Sequence, residues 1–572
     1  MFFSLLSGHT LVKSCEAPLW SCKVSCKRQV VWVWVAFFMF QAFLQGINGA
    51  YWREFGGHPD EAAHYITGLM VRDYVAQGIS KPPMEFAENY YLHYPKVAFG
   101  HWPPLFYLVQ AGWTLVFSAS RLSLCMLMAL LTATLALLIF QEIQEEVGIL
   151  LAFGAGVIFI ALPLIQQYSG MVMAEILVAL LSFLAIRSFW QFLQSEQWKD
   201  ARRFGVWATL AILTKGNALA LGLMPAIALA VNRQFTLLKN PALWGAACIV
   251  GVVCAPVYWL TLDMVRNAWQ EQSPSLQFVT AALPYYGLEM MTALGSGLAT
   301  MAVIGVGSRI LQPAWKGTIS GKWAVVGAWL VSMWVFHGTI PSSLEARNLV
   351  PALPALVMVA AVGCAWCLDR LTIKPSYRHR VIVGLLLLAI GFGVSEAMAL
   401  PKPGVWGFGK VAELLLSTQK YARSVILVSS DTRGEGAFIA EMARREDRPG
   451  HIVLRASKVL SKSGWNKQGY RRIFSTDEQL EQFLKSIPVG VVVLDTSLTP
   501  EEQDPHHQQL VRVLEANPDL WQLIATYPLH REGKIRIKAI RVYEQRGHEK
   551  RPVSTIRVDM HNMLNKVIEL HP

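Results

Sequence analysis

Nine apolar stretches long enough to cross ~30 Å of hydrocarbon dominate this chain, near 30–48, 122–140, 149–166, 175–193, 242–262, 286–311, 322–340, 347–368 and 380–400. Such segments must satisfy their backbone polar groups within helices, because lipid offers no partner. The runs end at residue 400. Of the 51 Lys+Arg and 39 Asp+Glu, residues 1–400 hold 25 and 19, and residues 401–572 hold 26 and 20. The first part carries 44 charges in 400 residues and suits a bilayer; the second carries 46 in 172 and suits water. These numbers exclude an ordinary soluble enzyme and point to an α-helical polytopic membrane protein with a C-terminal soluble α/β domain. All eight Cys lie at or before Cys367, so the soluble part has no disulfide framework. Cys22/Cys26 and Cys364/Cys367 lack the matching Cys or His pair that a structural zinc requires. The first run follows Lys23, Lys27 and Arg28 with no convincing cleavage site and reads as a retained signal anchor.

Two shorter stretches, 204–214 and 218–231, flank Thr214-Lys215-Gly216-Asn217. A turn there gives eleven spans; a kink gives ten and inverts everything downstream. Lys and Arg collect in short cytoplasmic loops, and with eleven spans they fall in the N-terminal tail, 141–148, 196–203, 232–239, 309–322 and 369–380. About eleven transmembrane helices are therefore expected, in a cell (inner) membrane. A cytoplasmic tail covers 1–29, a membrane domain 30–400 with a long first outer loop at 49–120, and a soluble domain 401–572 on the same outer, periplasmic or extracellular side. The net charge of +12 belongs largely to cytoplasmic loops and the soluble surface and does not argue for a nucleic-acid partner.

The first outer loop concentrates reactive side chains. It holds His58-Pro59-Asp60-Glu61-Ala62-Ala63-His64-Tyr65, then Tyr90-Tyr91-Leu92-His93-Tyr94-Pro95-Lys96 and His101-Trp102-Pro103-Pro104-Leu105-Phe106-Tyr107. The apolar piece 103–117 is too short to cross and suits a helix lying in the interface. In a helix starting at Asp60, that carboxylate and His64 share a face, the pairing a general base for a hydroxyl uses; equally, Asp60 after Pro59 can simply cap the helix. Glu175 stands at the outer edge of hydrocarbon, where an acid costs about 2–3 kcal/mol. It either serves function or snorkels to the surface. Lys96, His101, Lys215 and Arg347 fall on the same outer side. They suggest an anionic substrate such as a phosphate or diphosphate headgroup, unless each merely anchors to bulk lipid.

Together these residues resemble the polytopic GT-C-type glycosyltransferases that use polyprenyl-phosphate-linked sugars, the group of the protein O-mannosyltransferases and the aminoarabinose lipid A transferases. The likeness spans roughly residues 30–400. It rests on Asp60-Glu61 opening a helix in the first loop, Pro103–Tyr107 closing that loop, Glu175 in the second outer loop, Thr214-Lys215-Gly216, and Arg347 followed by Pro351 and Pro354. The resemblance implies an outer-face active site and transfer of a sugar, with inversion, from a polyprenyl-phosphate donor to a hydroxyl of a lipid, glycan or protein. It implies Asp60 as the base, Glu175 as an acceptor-binding or charge-stabilising acid, and Lys215 and Arg347 as partners of the departing phosphate. Glu61 joins the catalytic set, and His64, Lys96 and His101 the substrate-binding set. The chain departs from the aminoarabinose enzymes in having Ala63-His64 where they carry Arg-Tyr, and Trp102 where they carry Lys before Pro-Pro. Neither sugar nor acceptor carries over. Asp60, Glu61, His64, His101 and Glu175 have metal-ligand chemistry, and the sequence assigns no metal to them.

From residue 402 onward strand-like and helix-like segments alternate, as in a small sandwich with a largely parallel sheet. The strand 424–428 leads into Ser429-Ser430-Asp431-Thr432-Arg433-Gly434-Glu435-Gly436, a loop before a helix where an anion could sit; the domain itself is expected to bind or position the acceptor. Two rival functions remain open to a chain of this kind. A secondary transporter would place charges near the bilayer midplane in repeated halves, and a non-catalytic scaffold would leave the charged cluster without a role.

Overall fold

The computed structural model of the chain describes residues 19–98, 100–269, 275–371, 375–399, 404–422, 424–463, 469–487, 489–547, 556–559 and 567–570. Among them, six helices are long and apolar enough to cross a membrane: Arg28–Ile47, Arg121–Val147, Glu175–Ser195, Pro241–Leu262, Ala346–Arg370 and Tyr377–Ala399. Two bent pairs raise the number to as many as eight, and Gly216–Val231 is a shorter apolar segment. The Thr214-Lys215 step does separate two helical segments, one ending at Ile212 and the next opening at Gly216. The apolar run at 286–311 is not one span. It breaks by 104° between Leu276–Thr292 and Gly295–Lys316, at Gly295 with φ +73, a conformation glycine adopts without strain. Likewise Ile149–Ala161 bends by 61° into Pro163–Ser169, where Pro163 starts a new helix rather than continuing the old one.

The helices Gly295–Val306 and Leu353–Arg370 approach closely through small residues. A Cβ on Gly305 would lie 1.8 Å from the Val359 carbonyl oxygen, and one on Gly363 would lie 1.9 Å from that of Met301. Backbone contact of this kind holds helices together where lipid gives no hydrophobic drive. The helices Glu175–Ser195 and Ala346–Arg370 are equally the most enclosed of these spans, whereas Pro241–Leu262 faces outward along most of its length. Leu105–Val116 is a short helix with one buried face, of Phe106, Tyr107, Gln110, Ala111 and Thr114, while apolar Leu108, Leu115 and Val116 are exposed.

The soluble part carries a six-stranded sheet. Its strands are β1 (Val405–Trp406), β2 (Val425–Ser429), β3 (Val453–Arg455), β4 (Val489–Asp495), β5 (Trp521–Arg531) and β6 (Lys534–Gln545), in the order β1-β5-β6-β4-β2-β3. Only β2, β3 and β4 pair in parallel; β6 pairs antiparallel with β4 and β5, and β1 with β5. The sheet is therefore mixed, not largely parallel. The difference is β5, a strand that the sequence reading did not include and that turns β6 antiparallel to β4. Pro528 sits where the β5–β6 register shifts between Tyr527 and Leu529, a bulge that asks no ladder hydrogen bond of it. The hairpin turns at Glu532 (φ 48) and Gly533 (φ 79), both left-handed as a tight hairpin turn requires.

This domain is fastened to the loop after the first apolar helix at many points. The Glu54 carboxylate accepts hydrogen bonds from the Gly407, Phe408 and Gly409 amides at 2.9, 3.0 and 2.7 Å, at the start of the helix Gly409–Ser417. Val405 donates its amide to Gly56 O at 3.1 Å. Arg448 reaches Asp73 through Nε at 2.6 Å and Nη2 at 3.2 Å. Tyr94 donates to Glu446 at 2.7 Å, and His93 Nδ1 meets Gly450 O at 2.8 Å. Replacing Glu54 with Ala strands three amides and is expected to lower stability by about 1–3 kcal/mol. Hydrogen exchange at Gly407–Gly409 should rise with it, and unchanged protection there would mean that the carboxylate does not hold the junction.

Candidate active site

The helix Glu61–Asp73 opens with Asp60 at its N-terminal boundary, yet the Asp60 side chain caps no helix amide. Its carboxylate turns instead toward Arg347, with Oδ2 2.9 Å from Nη1. Of the two sequence readings for Asp60, simple capping is removed. Arg347 stands in the 3-10 turn Ala346–Ala352 that precedes the helix Leu353–Arg370. The same Nη1 lies 3.7 Å from Glu175 Oε1, and Nε lies 2.5 Å from Glu345 Oε2. One guanidinium is thus shared by three carboxylates from three separate segments.

Glu175 begins the helix Glu175–Ser195 and is 0% exposed, so it does not snorkel. Its Oε1 accepts a 2.7 Å bond from Lys215 Nζ. Lys215 occupies an extended residue between the helix Trp198–Ile212 and the 3-10 segment Gly216–Gly222, and both Lys215 and Arg347 point inward rather than at bulk lipid. The first loop closes on this step, because Leu105 donates its amide to Leu213 O at 2.9 Å. Asp60, Glu175, Lys215 and Arg347, drawn from residues 287 positions apart in the widest pair, therefore form one connected ion cluster.

Glu61 belongs elsewhere. Its Oε1 pairs with Arg121 Nη1 at 2.7 Å and accepts the Val172 amide, while Oε2 accepts that of Gly57. Arg121 also donates to Ala50 O and Gly170 O. A carboxylate with all these partners is a buried brace between the loop of Gly57 and the segment of Gly170 and Val172. His64 is buried with Nδ1 3.1 Å from the Tyr107 hydroxyl, and Trp102 lies against its ring at 4.4 Å, with His101 edge-on to Trp102 at 4.5 Å. With Glu61 and His64 committed in this way, the suggested metal set does not converge. Among the described residues, no group of three or more His, Cys, Asp and Glu could hold a metal ion.

A family model described as dolichyl-phosphate-mannose-protein mannosyltransferase matches residues 101–260. The crystal structures of ArnT from Cupriavidus metallidurans, bound to undecaprenyl phosphate and in the apo state, are each 13% identical to this chain. They cover 89% of it and 97% of their own length, with TM-scores of 0.55 and 0.56. The chain has the fold of a GT-C-type glycosyltransferase. An oligosaccharyltransferase from Archaeoglobus fulgidus, in complex with Zn and sulfate, aligns at 14% identity over 81% of this chain and 68% of its own, with a TM-score of 0.48. No curated protein sequence matches.

Within this GT-C fold the charges are tuned by burial and by one another. Burial alone raises the Asp60 pKa, but Arg347, His58 and His64 outweigh it and hold the carboxyl well below the usual carboxylate range. His64 is lowered to about 4 by burial, against the pull of Asp60 and Glu175; it stays neutral near pH 7. Lys96 is 8% exposed, and its Nζ reaches Thr432 O in the soluble domain at 3.4 Å. Burial and then Arg455 lower it to about 7. The sequence missed two members of the cluster: His58, 3.5 Å from Asp60, and Glu345, on Arg347, each stand two residues from a recognised one and were legible by proximity alone.

The expected anion site at Ser429–Gly436 is filled by the chain itself. Asp431 accepts the Gly434 amide at 2.8 Å, and Arg531 bridges Asp431 and Asp495 at 2.8 and 2.6 Å. The carboxylate takes the place an anion would need. Two outcomes are expected. Glu61→Gln leaves Arg121 buried without its counter-charge and should cost about 3–5 kcal/mol, read as a lowered melting temperature in detergent. Because Lys96 titrates lower folded than unfolded, the unfolded chain binds the extra proton between about pH 7 and the ordinary lysine range. Stability should rise with pH across that window, and Lys96→Met should flatten the rise.

Proposed function

We propose that this protein transfers a sugar from a polyprenyl-phosphate carrier to a hydroxyl of a lipid, glycan or protein acceptor at the outer face of the membrane, with inversion. The observation that carries the reading is Asp60 held 2.9 Å from Arg347, beside the Glu175–Lys215 pair: a carboxylate base and two phosphate-binding cations in one buried cluster. Its support comes from the GT-C fold and from the ArnT structure solved with undecaprenyl phosphate.

In this reaction the donor phosphate takes hydrogen bonds from Arg347 and Lys215, and Arg347 loosens its hold on Asp60. Released from its guanidinium, Asp60 becomes more basic and accepts the proton of the acceptor hydroxyl. The hydroxyl oxygen bonds to the anomeric carbon as the bond from that carbon to the phosphate oxygen breaks. The electron pair leaves with the polyprenyl phosphate, whose growing charge the two cations neutralise. Glu175 keeps Lys215 in position and faces the positive charge that develops on the sugar. His64, neutral and braced by Tyr107 and Trp102, lines the acceptor side. The cluster gathers span ends and loop residues on one rim of the bundle, which gives no support to a transporter with charges at the midplane.

Asp60→Asn should fold and extract normally but slow the release of polyprenyl phosphate from its sugar-carrying form, in membranes that supply acceptor, by roughly 10²–10⁴-fold. Retained turnover would remove Asp60 as the base. Arg347→Ala should weaken polyprenyl phosphate binding by about 10–100-fold, as the loss of a charge-assisted hydrogen bond to phosphate implies.

A further inference from the structure

Glu175, Asn217 and His337, on elements that pack around Lys215, carry buried polar atoms with no hydrogen-bond partner. Glu175 uses Oε1 for Lys215, and its Oε2 has no hydrogen-bond partner. Asn217, two residues beyond Lys215 and 7% exposed, leaves both Nδ2 and Oδ1 unpaired. It is the one described residue with two orphaned side-chain atoms. His337, 3% exposed, leaves Nε2 unpaired. These residues share one neighbourhood. The 3-10 segment Gly216–Gly222, which carries Asn217, packs on both the helix Glu175–Ser195 and the helix Gly321–Thr339, which carries His337. The field of Lys215 reaches His337, whose ring lies 5.2 Å from that of Tyr286.

Burying an unpaired polar atom is costly, and four on elements that pack on one another leave room for a partner from outside the protein. Its chemistry can be read from the atoms. Asn217 Nδ2 donates; Asn217 Oδ1 and Glu175 Oε2 accept; His337 Nε2 does either according to tautomer. A phosphate has no proton to give the two acceptors, and an ammonium would sit beside Lys215 and Arg347. Hydroxyl groups donate and accept at once and carry no charge.

We infer that Asn217, His337 and Glu175 Oε2 form the subsite for the donor's sugar ring, and that this subsite selects a neutral, hydroxyl-bearing sugar over a cationic amino sugar. The inference rests on the proposed glycosyltransferase reading and adds the chemical class of the transferred group. It also explains why such unsatisfied atoms are tolerated: a binding site trades stability for recognition.

The test measures affinity of the purified protein for three probes: polyprenyl phosphate, polyprenyl phosphate carrying glucose or mannose, and polyprenyl phosphate carrying an amino sugar. The wild type should bind a neutral hexose form tightest. Asn217→Leu and His337→Phe should lose about tenfold or more for that form while holding bare polyprenyl phosphate as before. Their melting temperatures without ligand should stay level or rise, since each removes an unpaired buried polar group. A fall in melting temperature together with equal loss for all probes would make these residues structural and overturn the subsite. Equal wild-type affinity for bare and sugar-bearing carrier, as hydrated but unselective atoms would give, overturns it too, as does preference for the amino sugar. Failure of the wild type to bind even bare polyprenyl phosphate would instead sink the glycosyltransferase reading on which the subsite depends.

Discussion

The Arg347 guanidinium organises this molecule. It reaches Asp60 from the long first loop, Glu175 from the head of a central helix and Glu345 from its own loop, and so joins segments that are distant in sequence. A buried charge is tolerable only when paired, so the fold must bring those carboxylates to it. Each must then remain ionised, which burial alone would oppose at Asp60. The same interaction that assembles the site also suppresses its basicity, until another anion competes for the guanidinium. In the proposed reaction the donor phosphate is that competitor, and the arrangement couples donor binding to activation of the base.

Precision at Asp60 depends on what holds the helix that follows it. Glu61, the next residue, is pinned by Arg121 and by the Val172 and Gly57 amides. The far end of that helix is tied through Asp73 to Arg448 of the soluble domain. The helix Thr432–Arg445 lies against it closely enough that a Cβ on Gly436 would come within 3.0 Å of the Ala62 Cβ. The soluble domain thus acts as a wall that fixes the first loop over the membrane domain. Its own sheet crevice, at the ends of β2 and β4 where α/β folds often bind ligands, is filled by Arg531.

How much of this was legible in the sequence follows from which forces are local. Apolar runs and the change in charge density announced the helices and the soluble tail, because burial in lipid acts on each segment by itself. Asp60, Glu175, Lys215 and Arg347 could be picked out because a charge at the edge of hydrocarbon is costly and needs a reason. Their pairing could not be read, since it depends on tertiary approach. Glu61 shows this: beside Asp60 in sequence, it pairs with a different cation, Arg121, in space. The bend at Gly295 was hidden because one glycine changes direction without altering an apolar pattern. Asn217 and His337 carried no signal at all, since a lone polar residue near a span end is ordinary until its lack of partners is seen.

The most direct measurement is a structure of the purified protein with polyprenyl phosphate bound. The phosphate oxygens should lie within hydrogen-bond distance of Arg347 and Lys215, with the Asp60–Arg347 contact lengthened beyond the 2.9 Å of the free protein. A phosphate seated away from both cations, with Arg347 still closed on Asp60, would contradict the transfer of the guanidinium from base to donor.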